Sequence, residues 1–475
     1  MLDTIYVSLD TWKDEQRTPT VLLLSSCAPR AFSAGGDVVM TQKLGGREAG
    51  MFFQYEYGIN HYLATLQAKI PVIAVMDGTT LGGGVGISLH NRFRVCTERT
   101  SLAMPETQIG FTPDVGVSHF LASCVDGGLP FGAYMGLTGT RVHGADVFYL
   151  GFATHYIHSS FLPTLIDILS SPNPSIPGSN NENNNVEVLD ILNHYCQLSL
   201  NMNSKSNSGC FSLQYPARVM NIIDHCFSQP TVELIVQSLQ STRLNTSTND
   251  QIVHDFLSQT LKLLYNMSPT SMKITLEVLQ RASATHNKLV ADSSNSSSSS
   301  SNSGNNGGFG LIEALVVEAR VCPMICLHSS DYRTGVRHLL IDKKKGRPVW
   351  NPDTIQEVDI SKMRSTFFDI KDPSNYLPYW VIDPETTRDA LSGYNLYALP
   401  TQAEILAEIQ GPFINARNRD HKHLVRGVGY ADVIEYFEKL GSSNPRFDIY
   451  KRPGLIQKIW FVLRRNYSDS FDSKL

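Results

Sequence analysis

Apolar and polar positions along this chain follow two periods, and the change from one to the other marks its elements. Leu2, Ile5, Tyr6, Leu9 and Trp12 recur at helical spacing, which predicts an amphipathic helix already in progress at the first residue. Residues 21–26 (VLLLSS) form a short apolar run that reads as a strand, ending in the glycine-rich loop RAFSAGGD. A helix is predicted over about residues 48–68, stopped by Pro71. VIAVMDG is a second strand, again followed by a glycine-rich loop, GTTLGGGVG, and RFRVCTE is a third, leading into SLAMPETQIGFTPDVG. Short apolar strands alternating with helices predict a parallel α/β sheet. In such sheets ligands bind at the carboxyl ends of the strands, where the loops collect.

From about residue 129 the pattern turns helical, and polar tracts then interrupt it. SSPNPSIPGSNNENNN, NMNSKSNSG and DSSNSSSSSSNSGNNGG are too rich in Ser, Asn, Pro and Gly to build a core. Helices are predicted between them, one launched at MSPTSMKITLEVL with Ser268 as N-cap and Pro269 at the first helical position. This divides the chain into a core over residues 1–170 and a helical part over 171–370 with inserts at about 171–185, 201–209 and 292–308. An extension over 371–475 follows, with a predicted helix at LPTQAEILAEI and a basic, aromatic segment, KRPGLIQKIWFVLRRNY.

Composition refines the picture. With 475 residues, 42% of them hydrophobic, the chain can bury a large core, and a net charge of -4 gives no overall attraction to nucleic acid or membrane. The charge is uneven: residues 411–475 carry 12 Lys+Arg against 7 Asp+Glu, a net of +5, which leaves -9 for the rest. No apolar run reaches the length of a membrane span, and the acidic, arginine-poor N-terminus fits neither a signal nor a transit peptide. Eight scattered cysteines without a CxxC pair read as reduced thiols. Cys322 and Cys326 could share a helix face, but two further zinc ligands are missing, so no metal site is expected.

Two constellations carry candidate chemistry. Residues 33–37 (SAGGD) and 82–86 (GGGVG) are glycine loops, whose backbone N–H groups can point into a pocket where no side chain blocks them. If both converge they form an oxyanion hole; separately, each is equally a tight turn or a packing contact. Neither GxGxxG, a phosphate loop nor a GxSxG elbow is satisfied. The second constellation is AMPETQIGFTPDVG, where Pro105 and Pro113 restrain Glu106 and Asp114. A carboxylate held in a dry pocket suits general acid/base work, whereas the same two acids at helix starts would be caps.

Together these segments resemble the enoyl-CoA hydratase/isomerase (crotonase) superfamily, and within it the 3-hydroxyisobutyryl-CoA hydrolase branch. RAFSAGGDV, FFQYEYGIN, the block from DGTTLGGGVG to DVGVSHFL, LTGTRVHGADVFYLGFATHYI, NMSPTSMKIT and GVRHLLIDKKKGRPVWNP fall in the family's order across roughly residues 1–370. The resemblance implies an α/β crotonase-like fold, a ββα spiral core with a helical C-terminal region, entered here after the family's N-terminal hairpin. It implies that Glu106 matches one of the two hydratase glutamates while Gly86 stands in place of the other, and that Asp114 and Glu56 match residues of the hydrolases. Gly36 and Gly83 would then supply the oxyanion hole. Glu106 would attack the thioester carbonyl or activate water, Asp114 would orient the 3-hydroxyl or that water, and Glu56 would bind the hydroxyl end. Arg30 would lie near the CoA phosphates, with a solvated surface role as its alternative.

On this resemblance the expected activity is hydrolysis of a short 3-hydroxyacyl-CoA thioester, 3-hydroxyisobutyryl-CoA of valine catabolism, in the mitochondrion. No cofactor is expected beyond the coenzyme A of the substrate, and the family admits a homo-oligomer. Proteins resembling this hydrolase also occur as subunits of the mitochondrial small ribosomal subunit, which sets a rival role. The basic tail with Trp460 would then contact ribosomal RNA or proteins. The alternative for the tail is an amphipathic helix packing Leu455, Ile459, Trp460 and Leu463 on its own domain. A hydratase or isomerase is disfavoured by Gly86 and Asp114. Thr334 departs from the family's glutamate in DYRTGVR, and HKH at 421–423 lacks further metal ligands.

Overall fold

The computed structural model describes residues 20–44, 46–67, 69–171, 187–204, 214–246, 250–295, 310–369, 399–409 and 430–441, together with 444, 447–448, 452–456, 458–459 and 462–463. The helix expected over residues 2–12 and the HKH triplet lie outside the described residues.

Strands come in consecutive pairs: β1 (Leu22–Leu24) and β2 (Ala31–Ser33), β3 (Val72–Met76) and β4 (Thr79–Leu81), β5 (Phe93–Cys96) and β6 (Ser101–Ala103), then β7 (Val142–His143) and β8 (His155–Tyr156). Each pair gives one strand to each of two sheets, ordered β1-β3-β5-β8 and β2-β4-β6-β7. The first sheet is parallel throughout, with Leu22, Leu23 and Leu24 opposite Val72, Ile73 and Ala74. In the second only the β6–β7 pair is antiparallel. Stepping from sheet to sheet and returning through a helix generates the expected ββα spiral. All five residues of β3 are buried, which is why VIAVM is apolar without alternation.

Six helices position the site: α1 (Val38–Thr41), α2 (Gly46–Leu66), α3 (Gly83–Leu89), α4 (Val117–Ser123), α5 (Gly128–Thr138) and α6 (Pro269–Asn295). Two more close it, α7 (Leu311–His328) and α8 (Ser330–Val336), the latter followed by a π-helical turn at Arg337–Ile341. Helix α2 buries Ala49, Phe53, Tyr57, Asn60 and Ala64, a stripe at spacings of three and four, and packs against α7. Helix α6 begins as expected at Pro269, with the Ser268 hydroxyl accepting from the Ser271 amide at 3.1 Å. It lies across α4 and α5.

Two insert boundaries are corrected. Residues 201–204 still belong to the helix Val188–Ser204, and 292–295 to α6. Once a helix is nucleated each added residue gains one backbone hydrogen bond, so the turn runs on into polar residues that would not start one.

Part of the extension is docked on the core. Leu399, Leu455, Ile459, Val462 and Leu463 are buried, and Gly454 lies so close to the Phe148 ring that an added Cβ would come within 2.5 Å of it. This is the packing alternative for Leu455, Ile459 and Leu463; Trp460 lies outside the described residues. No described helix is long and apolar enough to cross a membrane.

Candidate active site

Three loops at the carboxyl ends of β2, β4 and β6 meet over one cavity of about 260 Å³. The first carries Gly35 and Gly36 into α1, whose start is capped by Asp37 accepting from the Met40 amide at 3.0 Å. The second carries Gly82, at φ 49° and ψ -124°, and Gly83 into α3. The third places Glu106 at the head of a 3-10 turn, Glu106–Ile109, and runs through Phe111 and Pro113 to Asp114. Helix α2 supplies Phe52, Phe53 and Glu56 to the wall, and Tyr332, Leu339 and Leu340 close it from the C-terminal part.

The second glycine loop is fitted to two carboxyl groups. A Cβ on Gly83 would lie 2.6 Å from Glu56 Oε1, and one on Gly82 would lie 3.0 Å from Glu106 Oε1. The same point on Gly83 is 3.7 Å from the Gly36 nitrogen, so the two loops face each other across the acids. Glycine is required at positions 82 and 83 for this close approach.

Neither acid is a helix cap through its side chain. Asp114 Oδ2 accepts from the Tyr57 hydroxyl at 2.7 Å, and Glu106 Oε2 is buried among described atoms without a hydrogen-bond partner. Burial pushes the Glu106 carboxyl up to about 8, with the Asp114 charge adding to the effect. Burial also pushes Asp114 up, to about 7, while the Tyr57 hydrogen bond holds it back. Glu56 is raised well above the usual carboxylate range by burial and then by the charges of Asp114 and Glu106. Three buried carboxyls facing one cavity do not all ionise together, and each charge raises the proton affinity of its neighbours.

The structure thus brings Gly36, Gly83, Glu56, Glu106 and Asp114 together. Arg30 is exposed and outside the cavity lining; its backbone carbonyl accepts from the Thr79 amide at 3.0 Å. Thr334 is half-buried on α8 and does not line the cavity. Cys322 and Cys326 are buried free thiols, and no cluster of three His, Cys, Asp or Glu residues placed to hold a metal ion occurs among the described residues.

Three residues were not singled out from the sequence. Tyr57 follows Glu56 directly in YEY and is buried on α2. Tyr332 packs against Phe111 with its ring tilted by 42° and centroids 5.0 Å apart, and its hydroxyl lies 2.6 Å from Thr41 Oγ1. Glu318, a lone acid in the apolar run LVVEARV, is fully buried on α7. An acid in an apolar stripe is the signal that could have found it.

Position 86 also acquires a reason. The Val115 side chain fills the space above Gly86, where an added Cβ would lie 2.5 Å from Val115 Cβ. A second glutamate at this position has no room.

The sequence model of the enoyl-CoA hydratase/isomerase family matches residues 1–367. The chain belongs to this family. A mitochondrial 3-hydroxyisobutyryl-CoA hydrolase of Xenopus laevis is 35% identical over 371 residues, covering 77% of this chain and 81% of the relative. The human protein of the same name is 34% identical with the same coverage. The small ribosomal subunit protein mS47 of Neurospora crassa is 30% identical over 410 residues, covering 84% of this chain and 72% of that protein. Among solved structures, a carnitinyl-CoA dehydratase from Mycobacterium thermoresistibile superposes with a TM-score of 0.55 at 26% identity, covering 78% of this chain and 89% of that one. The family and the crotonase-like fold expected from the motifs are those found, while the expectation about the N-terminal hairpin concerns residues outside those described.

Proposed function

We propose that this family member hydrolyses a short 3-hydroxyacyl-CoA thioester, with 3-hydroxyisobutyryl-CoA as the substrate and the mitochondrion as its compartment. The observation that carries the reading is the pairing of Glu106 and Asp114 in one buried cavity opposite the Gly36 and Gly83 loops, with Val115 closing the place of a second hydratase glutamate. The similarity to the two hydrolases supports the substrate class and the compartment.

In this reading the thioester oxygen accepts from the Gly36 and Gly83 N–H groups as negative charge develops on it, each donor contributing about 3 kcal/mol to lowering the barrier. Glu106 supplies the electron pair at the carbonyl carbon, directly or by taking a proton from water. The C–S bond breaks, the thiolate of coenzyme A leaves and is protonated, and water provides the second carboxyl oxygen of the product. Asp114, oriented by Tyr57, holds the 3-hydroxyl or the water, and Glu56 binds the hydroxyl end. In this reading the reaction uses no cofactor other than the coenzyme A that the substrate carries.

Release of free thiol from 3-hydroxyisobutyryl-CoA by the full chain, and its loss in Glu106→Gln, tests the proposal. Wild-type protein that releases no thiol overturns it.

A second reading is a structural subunit of the mitochondrial small ribosomal subunit, favoured by the mS47 match, which spans a larger share of this chain than the hydrolase matches do. Co-sedimentation with small ribosomal subunits, together with an inert wild-type protein in the thiol assay, selects it.

A further inference from the structure

Asp114 sits in a turn that an isolated chain would not choose. The next residue, Val115, is β-branched and has a φ of 58°, and Gly116 follows at 76°, so two successive residues are left-handed. Valine is poorly suited to this region, and such a conformation persists only where the surroundings over-determine it. Two buried groups do so. His90 Nε2–H donates to the Val115 carbonyl at 2.6 Å, and burial holds the His90 imidazole down to about 4, in its neutral form.

The second group is Glu318, which comes from α7, some two hundred residues further along the chain. Its carboxylate oxygens accept from the Gly116 amide at 2.6 Å, from the Ser118 amide at 3.3 Å and from the Ser118 hydroxyl. A fully buried carboxylate is expensive to keep, and this one meets the donors of a single turn, the one that follows Asp114. Next on the same face of α7 lies Cys322, beside Tyr57, the donor to Asp114. Helix α7 therefore touches the Asp114 turn from behind and the Asp114 partner from the side.

We infer that Glu318 is a positioning residue for Asp114: its carboxylate holds the Val115–Gly116 turn left-handed, so that Asp114 reaches Tyr57 and the cavity. The competing view is a plain cap of α4 that adds stability and nothing else. The inference rests on the hydrolase reading for its kinetic test and on geometry alone for its structural one.

The experiment compares wild-type protein, Glu318→Gln, Asp114→Asn and the double variant, as full chains, for thiol release from 3-hydroxyisobutyryl-CoA. Gln keeps the size of Glu but brings an NH₂ group against donors. In Glu318→Gln, kcat is expected to fall roughly 10-fold with KM unchanged, a coupling typical of residues in one network. In the Asp114→Asn background the same change should cost nothing further. Equal loss in both backgrounds, or an unchanged kcat with only a lowered Tm, overturns the inference. Should Glu318→Gln fail to fold, Ser118→Ala, which removes one donor only, is read by the same cycle.

A crystal structure of Glu318→Gln, or of Ser118→Ala in its place, decides independently of activity. Loss of the 2.7 Å Tyr57–Asp114 bond, or a Val115 that has left the left-handed region, supports the inference, and an unmoved turn overturns it. An inert wild-type protein would count against the hydrolase reading, while this structural comparison would still judge Glu318.

Discussion

The Tyr57 hydroxyl donates to Asp114 Oδ2 at 2.7 Å, while Glu56, its neighbour on α2, faces the same cavity. One turn of helix therefore supplies both a lining acid and the donor that orients another. Tyr57→Phe keeps the ring that packs 5.6 Å from Phe53 and removes only the hydroxyl. Because the lost hydrogen bond favours the ionised form of Asp114, that carboxyl should hold its proton to higher pH. The expected outcome is a kcat lowered roughly 10-fold, for one buried hydrogen bond to a charged group, with the acid limb of the pH–rate profile moved upwards.

Glu106→Gln removes the base and preserves the shape of the turn. Glu106 Oε2 has no partner among the described atoms, so the amide breaks no described hydrogen bond of that oxygen. General-base roles are worth about 10² to 10⁴ in rate, and kcat should fall by that factor with little change in KM. Single-turnover thiol release separates this from a binding defect. A variant that keeps wild-type kcat rules out Glu106 as the group that supplies the electron pair.

The pH dependence follows from the carboxyl values. The groups facing one another are Glu56 and Tyr57 on α2, Glu106 and Asp114 on the third loop, and Glu318 and Cys322 on α7. With Asp114 at about 7 and Glu106 at about 8, the rate should climb between pH 6 and 8 as these acids ionise. Stability should run the other way. Both acids hold protons in the folded protein that the unfolded chain releases near 4, so their contribution is full below pH 4 and is lost as pH rises to about 8. Thermal unfolding at pH 5.5 and 8.5 checks the sign: Tm should be lower at the higher pH, and less so in Glu106→Gln.

How much of the site could be read from the sequence depends on how far apart its parts lie. Gly36, Gly83, Glu106 and Asp114 lie in the stretches that follow the three predicted strands, which the parallel-sheet rule gathers at one edge, but the short strands β2, β4 and β6 that hold them were read as loop. Tyr57 reaches Asp114 across 57 residues and Glu318 reaches Gly116 across 202, and no local pattern carries such distances. The tail shows the same division. Leu455, Ile459 and Leu463 were legible as an apolar stripe, whereas the burial of Lys458 was not, because lysine ordinarily keeps its charge in water. The insert boundaries slipped by one helical turn because helix propagation tolerates residues that composition assigns to loops.

Gly86 is where the hydratase alternative can be tested. An added Cβ would stand 2.5 Å from Val115 Cβ and 3.0 Å from Asn60 Nδ2, in a close-packed core. Gly86→Glu should therefore yield unfolded protein, or protein destabilised by more than the ~1–3 kcal/mol usual for overpacking, with no enoyl-CoA hydration gained. Even Gly86→Ala should lower Tm measurably. Hydratase activity in a folded Gly86→Glu variant would mean that Val115 yields, contrary to the account of a clamped turn.

The last test concerns the extension. Lys458 Nζ lies 2.8 Å from Asp126 Oδ2, both side chains are almost fully buried, and the ammonium also donates to the Tyr149 carbonyl. Removing one partner leaves an uncompensated buried charge, a loss of about 3–5 kcal/mol for such pairs, so Lys458→Met should lower Tm strongly. The double variant Asp126→Leu, Lys458→Met removes both charges and should recover most of that loss. If the docked tail is part of the fold, cleavage by protease at its described residues 452–456 will be slow in wild type, fast in Lys458→Met and slow again in the double variant. Equal cleavage in all three would show that the tail binds the core through its apolar residues alone.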